Sequence, residues 1–218
     1  MEHFQLKAAL AKPGTPVAHV AEGADKAKTV QLALYPQMGE DDDVFSEMIF
    51  LVDRSGSMTR DGRMDKTKQT LQIFLRSIPE GSLFNIVSFG TNHKSLFPQS
   101  EEYNEDSLAK ATAHVTSMRA DMGGTNISNP LEQLLKAKPI PGMARQIFLL
   151  TDGQVNNRDQ CVSITRASAH TTRVFCFGIG DGVDARLVKE MAAAGNGAHE
   201  LIASGDDMEA KVGCCVRR

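Results

Sequence analysis

From Met48 to Val52 the chain runs Met48-Ile49-Phe50-Leu51-Val52 without a polar break, then turns abruptly polar at Asp53-Arg54-Ser55-Gly56-Ser57 before Met58. Such a run marks a strand buried on both faces, as a parallel sheet requires. Gln146-Ile147-Phe148-Leu149-Leu150-Thr151-Asp152-Gly153 has the same form and also ends on a carboxylate. Leu83 to Gly90, Arg173 to Phe177 and Ala198 to Ile202 read as further strands. Between them apolar residues recur at helical spacing. Met64, Thr67, Leu71, Phe74, Leu75 and Ile78 predict one helix, stopped by Pro79. Leu108, Ala111, Val115 and Met118 predict a second, from about Glu105 to Ser117 and capped by Asn104. A third is expected over Ile127 to Lys136, a fourth behind Asp159 with Val162, Ile164 and Ala169, and a fifth around Leu187, Val188 and Met191. Ser95-Leu96-Phe97 before Pro98 predicts a short antiparallel edge strand. Strands alternating with helices predict an α/β fold: a doubly wound, mainly parallel six-stranded sheet with helices on both faces and one short antiparallel edge strand.

The flanks are patterned differently. Thr29-Val30-Gln31-Leu32-Ala33-Leu34-Tyr35-Pro36 alternates and predicts a strand closed by proline. Glu40-Asp41-Asp42-Asp43 reads as a solvated linker. Residues 1–43 are therefore expected to be a flanking segment, 44–206 the domain, and 207–218 the start of a following region. A length of 218 residues suits one such domain with flanks. Apolar residues at 41% and charged residues at 23% place the chain among ordinary soluble globular proteins. A net charge of −3 offers no basic patch for nucleic acid. No apolar run approaches the roughly 20 residues of a membrane span, and Met1-Glu2-His3-Phe4-Gln5 lacks the opening of a signal peptide. Cys161, Cys176, Cys214 and Cys215 show no zinc-ligand spacing. Cys176 lies in an apolar run, as a free buried thiol does. A reduced, cytoplasmic protein is expected, with a secreted fragment as the alternative.

The chemistry concentrates where strands end. In open α/β sheets ligands bind beyond the carboxyl ends of the strands, and hard divalent cations take oxygen ligands. Asp53, Ser55 and Ser57 can hold one side of such an ion, although the same residues suit a helix N-cap. Gly123-Gly124-Thr125-Asn126 adds a hydroxyl beside flexible backbone, and Asp152 a second carboxylate. Three loops that each offer hard oxygens favour a shared cation over three unrelated caps. The Gly178-Ile179-Gly180-Asp181-Gly182 run has glycines at alternate positions but not the G-x-G-x-x-G spacing of a dinucleotide site, so a tight turn is expected there. His3, His19, His93, His114, His170 and His199 all lie outside these loops, leaving Ser55 and Ser57 without an evident base.

The order Asp-x-Ser-x-Ser, Thr, Asp on Asp53, Ser55, Ser57, Thr125 and Asp152 resembles the metal-ion-dependent adhesion site (MIDAS) of von Willebrand factor A domains. The resemblance covers roughly Ser46 to Asp206. It also rests on Phe84-Asn85-Ile86-Val87-Ser88-Phe89-Gly90, Met122-Gly123-Gly124-Thr125-Asn126 and Phe177-Gly178-Ile179-Gly180. It is strongest toward the intracellular group called von Willebrand A domain-containing protein 5 and toward vault poly(ADP-ribose) polymerase; the secreted inter-alpha-trypsin inhibitor heavy chains look similar. The resemblance implies a Rossmann-like fold in which Ser55, Ser57 and Thr125 ligate a divalent cation through hydroxyls. Asp53 and Asp152 then act directly or through water. Mg²⁺ is the expected ion, with Mn²⁺ or Ca²⁺ as alternatives. An ion held mainly by neutral ligands stays electrophilic toward one more anionic oxygen, an Asp or Glu from a partner protein. The resemblance further implies a larger multidomain chain, with residues 29–36 as the last strand of a preceding β-rich VIT domain. No catalytic motif of the polymerase is present. The expectation is a metal-ion-dependent protein–protein interaction module, not an enzyme. The alternatives are a structural packing domain of a larger assembly and a metal-assisted phosphohydrolase.

Overall fold

A computed structural model describes residues 17–22, 28–33, 45–153, 155, 157–203, 206 and 211. The acidic run at 40–43, the strand end at 34–36 and, apart from Lys211, the region 207–218 with Cys214 and Cys215 lie outside the described residues. The chain forms two compact units, Met1–Asp43 and Val44–Arg218. In the first, β1 (Val17–Glu22) and β2 (Lys28–Ala33) pair antiparallel with Val20 opposite Val30.

The second unit carries β3 (Ser46–Asp53), α1 (Arg63–Arg76), β4 (Leu83–Phe89), β5 (His93–Ser95), β6 (Glu101–Glu102), α2 (Glu105–Ser117) and α3 (Ser128–Lys136). It continues with β7 (Ala144–Thr151), α4 (Arg158–Ala167), β8 (Thr172–Ile179), α5 (Ala185–Ala194) and β9 (Asn196–Ile202). The sheet order is β5-β4-β3-β7-β8-β9. The pairings among β4, β3, β7, β8 and β9 are parallel, whereas β5 joins β4 antiparallel at the edge. This is the doubly wound α/β architecture the apolar runs predict, with β6 as a two-residue addition that also pairs with β4.

The edge strand lies at 93–95 rather than 95–97. The cause is Asn85, whose side-chain amide binds both the N–H and the C=O of Phe97 (3.1 and 3.0 Å) and so takes the place of a backbone ladder. Phe97 turns inward and meets Phe84 edge-on at 5.7 Å.

Alternation along β3 divides the core into two layers. Met48, Phe50 and Val52 face the layer of α1 and α2, and Ile49 and Leu51 face that of α3, α4 and α5. In the first layer Phe74 of α1 sits among Phe50, Phe148 and Phe177, with ring centroids 5.1–5.5 Å apart. Burying such a side chain contributes about 1.5–3 kcal/mol. Asn104 caps α2 as predicted, within a reciprocal capping box with Ser107. The fourth helix departs from expectation: Asn157 holds the N-cap position, and Asp159 lies in the first turn. There its charge favours the helix dipole instead of closing the end. At the opposite end of the sheet from the Asp53 loop, Arg145 pairs with buried Glu47 (2.7 Å) and donates to the carbonyls of Leu134, Ala137 and Lys138, closing the end of α3.

Candidate metal centre

β3 and β7 are neighbours in parallel register, Val52 beside Leu150, so Asp53 and Asp152 emerge together at the carboxyl edge. Adjacent strands lie about 4.8 Å apart. Both aspartates are fully buried. Asp53 is held at each oxygen: Oδ1 accepts the Ser55 N–H at 2.8 Å and Oδ2 accepts the Thr151 hydroxyl at 2.6 Å. Burial pushes its carboxyl from 3.8 up to about 6, against the pull of the Ser55 and Thr151 hydrogen bonds and with a smaller push from Asp152. A buried anion of this kind is costly unless a cation joins it.

The chain after Asp53 winds into short 3₁₀ turns over Gly56–Gly62, broken at Arg60 and Asp61. Ser55 stands at their N-cap, the position a capping serine takes, yet its hydroxyl caps nothing. It lies instead 3.0 Å from the Ser57 hydroxyl. Adjacent ligands of an octahedral Mg²⁺ with bonds of 2.0–2.1 Å are about 2.9 Å apart. The serine pair therefore has the spacing of one octahedral edge.

The segment carrying Thr125 is stitched onto this loop. Gly56 N–H donates to Gly123 O (2.7 Å) and Met122 N–H to Arg54 O (3.0 Å). The Arg54 guanidinium reaches the same segment, donating to Arg119 O (2.8 Å) and to Asp121 (2.6 Å). From below, Thr91 N–H donates to Met122 O and Asn126 N–H to Gly90 O. The approach is close enough to require glycine at 90, where a Cβ would fall 2.3 Å from Met122 O. Thr125, half-buried, is thus fixed against the Asp53 loop.

Asp152 is fixed from two sides. Its carbonyl accepts the N–H of Asp184, the N-cap of α5, at 3.0 Å, and its Oδ2 accepts Arg63 Nη1 at 2.7 Å. Arg63 and Thr151 are the partners that sequence reasoning misses. Among the described residues no group of three His, Cys, Asp or Glu converges. A cation here would draw on two carboxylates and three hydroxyls, a hard oxygen set that suits Mg²⁺ or Mn²⁺. The residues fit such an ion. In the glycine-rich turn after β8, Gly180 and Gly182 pack against the Arg63 side chain.

The model of the von Willebrand factor type A domain matches residues 46–201. A von Willebrand factor A domain-containing protein of Dictyostelium discoideum is 40% identical over 192 residues, covering 86% of this chain and 20% of its own length. Human von Willebrand factor A domain-containing protein 5B1 is 43% identical over 166 residues, 76% of this chain and 14% of its own. The chain thus spans a fifth or less of these relatives. Among solved structures, a von Willebrand factor type A protein from Catenulispora acidiphila superposes with a TM-score of 0.69 at 20% identity, over 93% of this chain and 45% of its own. Mussel byssus proximal thread matrix protein 1, with zinc in its MIDAS motif, gives 0.63 at 19% over 82% and 48%. Manganese-loaded TRAP protein of Plasmodium vivax gives 0.63 at 17% over 78% and 71%. At these identities the structural likeness is one of fold. The match across residues 46–201, joined to 43% identity with a curated relative, shows that the chain belongs to the von Willebrand factor type A domain family.

Proposed function

We propose that this domain is a metal-ion-dependent protein-binding module in which Asp53, Ser55, Ser57, Thr125 and Asp152 hold a divalent cation. Mg²⁺ takes first place, with Mn²⁺ or Ca²⁺ as alternatives. The observation that carries the reading is the Ser55–Ser57 hydroxyl pair, 3.0 Å apart beside a fully buried Asp53. The zinc in the MIDAS motif of proximal thread matrix protein 1 and the manganese loaded into the TRAP protein support a divalent ion in general. When bound, such an ion supplies an electrophilic position for an Asp or Glu of the partner. The protein's own part is to present hydroxyls at octahedral spacing, to keep Asp53 ionised through two hydrogen bonds, and to hold the Thr125 segment in place.

Binding is favoured over catalysis because the two serine hydroxyls bond to each other, which suits ligands better than nucleophiles. The much greater length of the relatives supports a role as one module of a larger protein. A cytoplasmic setting belongs to the same proposal. It is supported by Cys161 and Cys176, free and buried, with burial pushing the Cys161 thiol up to about 11 and Cys176 higher still.

The test is an affinity measurement on a protein partner recovered from cell lysate, with and without EDTA, for wild type and Thr125→Ala. EDTA is expected to abolish binding, and Thr125→Ala to weaken it at least about tenfold, in line with the loss of one ligand. The metal-free melting temperature should stay within about 2 °C, as befits a surface loop. Affinity unchanged in both arms rejects the reading.

A further inference from the structure

Arg63 occupies an improbable place. It is 4% exposed and is the first residue of α1, where the helix dipole disfavours a cation. Its Nε is buried without a hydrogen-bond partner, a cost that folding carries. Its Nη1 donates to Asp152 at 2.7 Å, and its Nη2 lies 3.6 Å from Asp61, which is itself held at φ 51°. The turn after β8 is cleared around the guanidinium. Gly180 has φ +98°, a Cβ there would lie 2.8 Å from Arg63 Nε, and one at Gly182 would lie 3.3 Å from Nη2. A buried arginine at the wrong end of a helix, with one nitrogen unmatched and glycines making room, is costly as a device for stability. What it does have is direct contact with one of the two carboxylates at the candidate cation site.

Resting on the metal-centre reading above, we propose that Arg63 sets the charge of that site. By ion-pairing Asp152 at 2.7 Å, it offsets the charge of one of the two ligand carboxylates, while Asp61, 3.6 Å away and exposed, is the weaker, water-screened partner. A divalent cation then binds more weakly but keeps more of its own charge for a partner's carboxylate. A guanidinium at this distance offsets the carboxylate's charge and repels a second cation beside it. Arg63 is a positioning residue, acting through Asp152. It trades the domain's own grip on the ion for the ion's grip on the partner.

Mn²⁺ titration by calorimetry on wild type, Arg63→Gln and Arg63→Lys tests this with the metal alone. Arg63→Gln keeps a donor for Asp152 but removes the charge, and it is expected to bind Mn²⁺ at least about tenfold more tightly. Its metal-free melting temperature should fall and should recover more with Mn²⁺ than the wild type gains. Arg63→Lys keeps the charge and loses the fork, so its Mn²⁺ affinity should remain within about threefold of wild type. A purely structural role predicts that Arg63→Gln binds Mn²⁺ no more tightly, or more weakly, and that result overturns the proposal while leaving the metal centre intact. If Arg63→Gln does not fold, a tenfold change in Arg63→Lys overturns it, and wild-type-like affinity there upholds it. If neither wild type nor variants bind Mn²⁺, the metal-centre reading fails and this one with it.

Discussion

Asp53 carries a burden visible only in its surroundings. Its carboxyl, near 3.8 when unfolded, is held at about 6 in the folded protein, chiefly by burial. Between these values the folded state binds more protons than the unfolded one. The metal-free fold is therefore favoured by this group below about pH 4 and loses that contribution as pH rises through 6. Asp53→Asn removes the ionisation. In urea unfolding with EDTA present, the variant is expected to gain on the order of 2 kcal/mol at pH 7.5 and nothing at pH 4. An equal gain at both pH values, or a loss at pH 7.5, would contradict the assigned burial cost. The residues that sequence reasoning finds here announce themselves by position: Asp53 and Asp152 interrupt apolar runs, and Ser55 and Ser57 follow at fixed intervals. Arg63 gives no such sign. Its partner Asp152 lies 89 residues away, and an arginine opening a helix reads as solvated surface until the fold places it.

The strands and helices were legible for a related reason. Strands buried on both faces must be apolar throughout, and helices buried on one side must repeat apolar residues every three or four, so both leave a periodic trace. The edge strand moved because a side chain, Asn85, does a backbone's work at Phe97, and periodicity does not record that. α4 began earlier than its expected cap because several polar residues cluster near its start and any of them suits the position on sequence grounds. Arg145 shows the cost of such side-chain substitutes for backbone pairing. It satisfies three carbonyls at the end of α3 and neutralises Glu47, itself only 5% exposed. Arg145→Met leaves that carboxylate buried without its countercharge, with the Ser100 hydroxyl still donating to Oε1 at 2.7 Å, so a loss of about 3–5 kcal/mol in chemical denaturation is expected. A loss below about 1 kcal/mol would mean that Glu47 reaches water once Arg145 is gone.

Which strand lies beside which was not legible, since alternation of strands and helices implies a parallel sheet but not its order. The order matters because the candidate site has no local precursor. β3 pairs with β7 across Phe50 and Phe148, 98 positions apart, and the Thr125 segment enters from between α2 and α3. Parallel pairings at such separations form slowly, after the entropy of closing long loops has been met. No early, partly formed state can therefore present Asp53, Thr125 and Asp152 together. A bound cation should act on the rate of leaving the native state and not on the rate of reaching it. In stopped-flow experiments at ten times the dissociation constant, Mg²⁺ is expected to slow unfolding about tenfold while refolding stays within about twofold. A cation that speeds refolding would point to ligands gathered early, near one another in the chain. With the candidate site spread over three distant segments, an ion bound there would act as a latch closed after assembly, and the fraction of molecules holding it would set the pace at which the assembled domain comes apart.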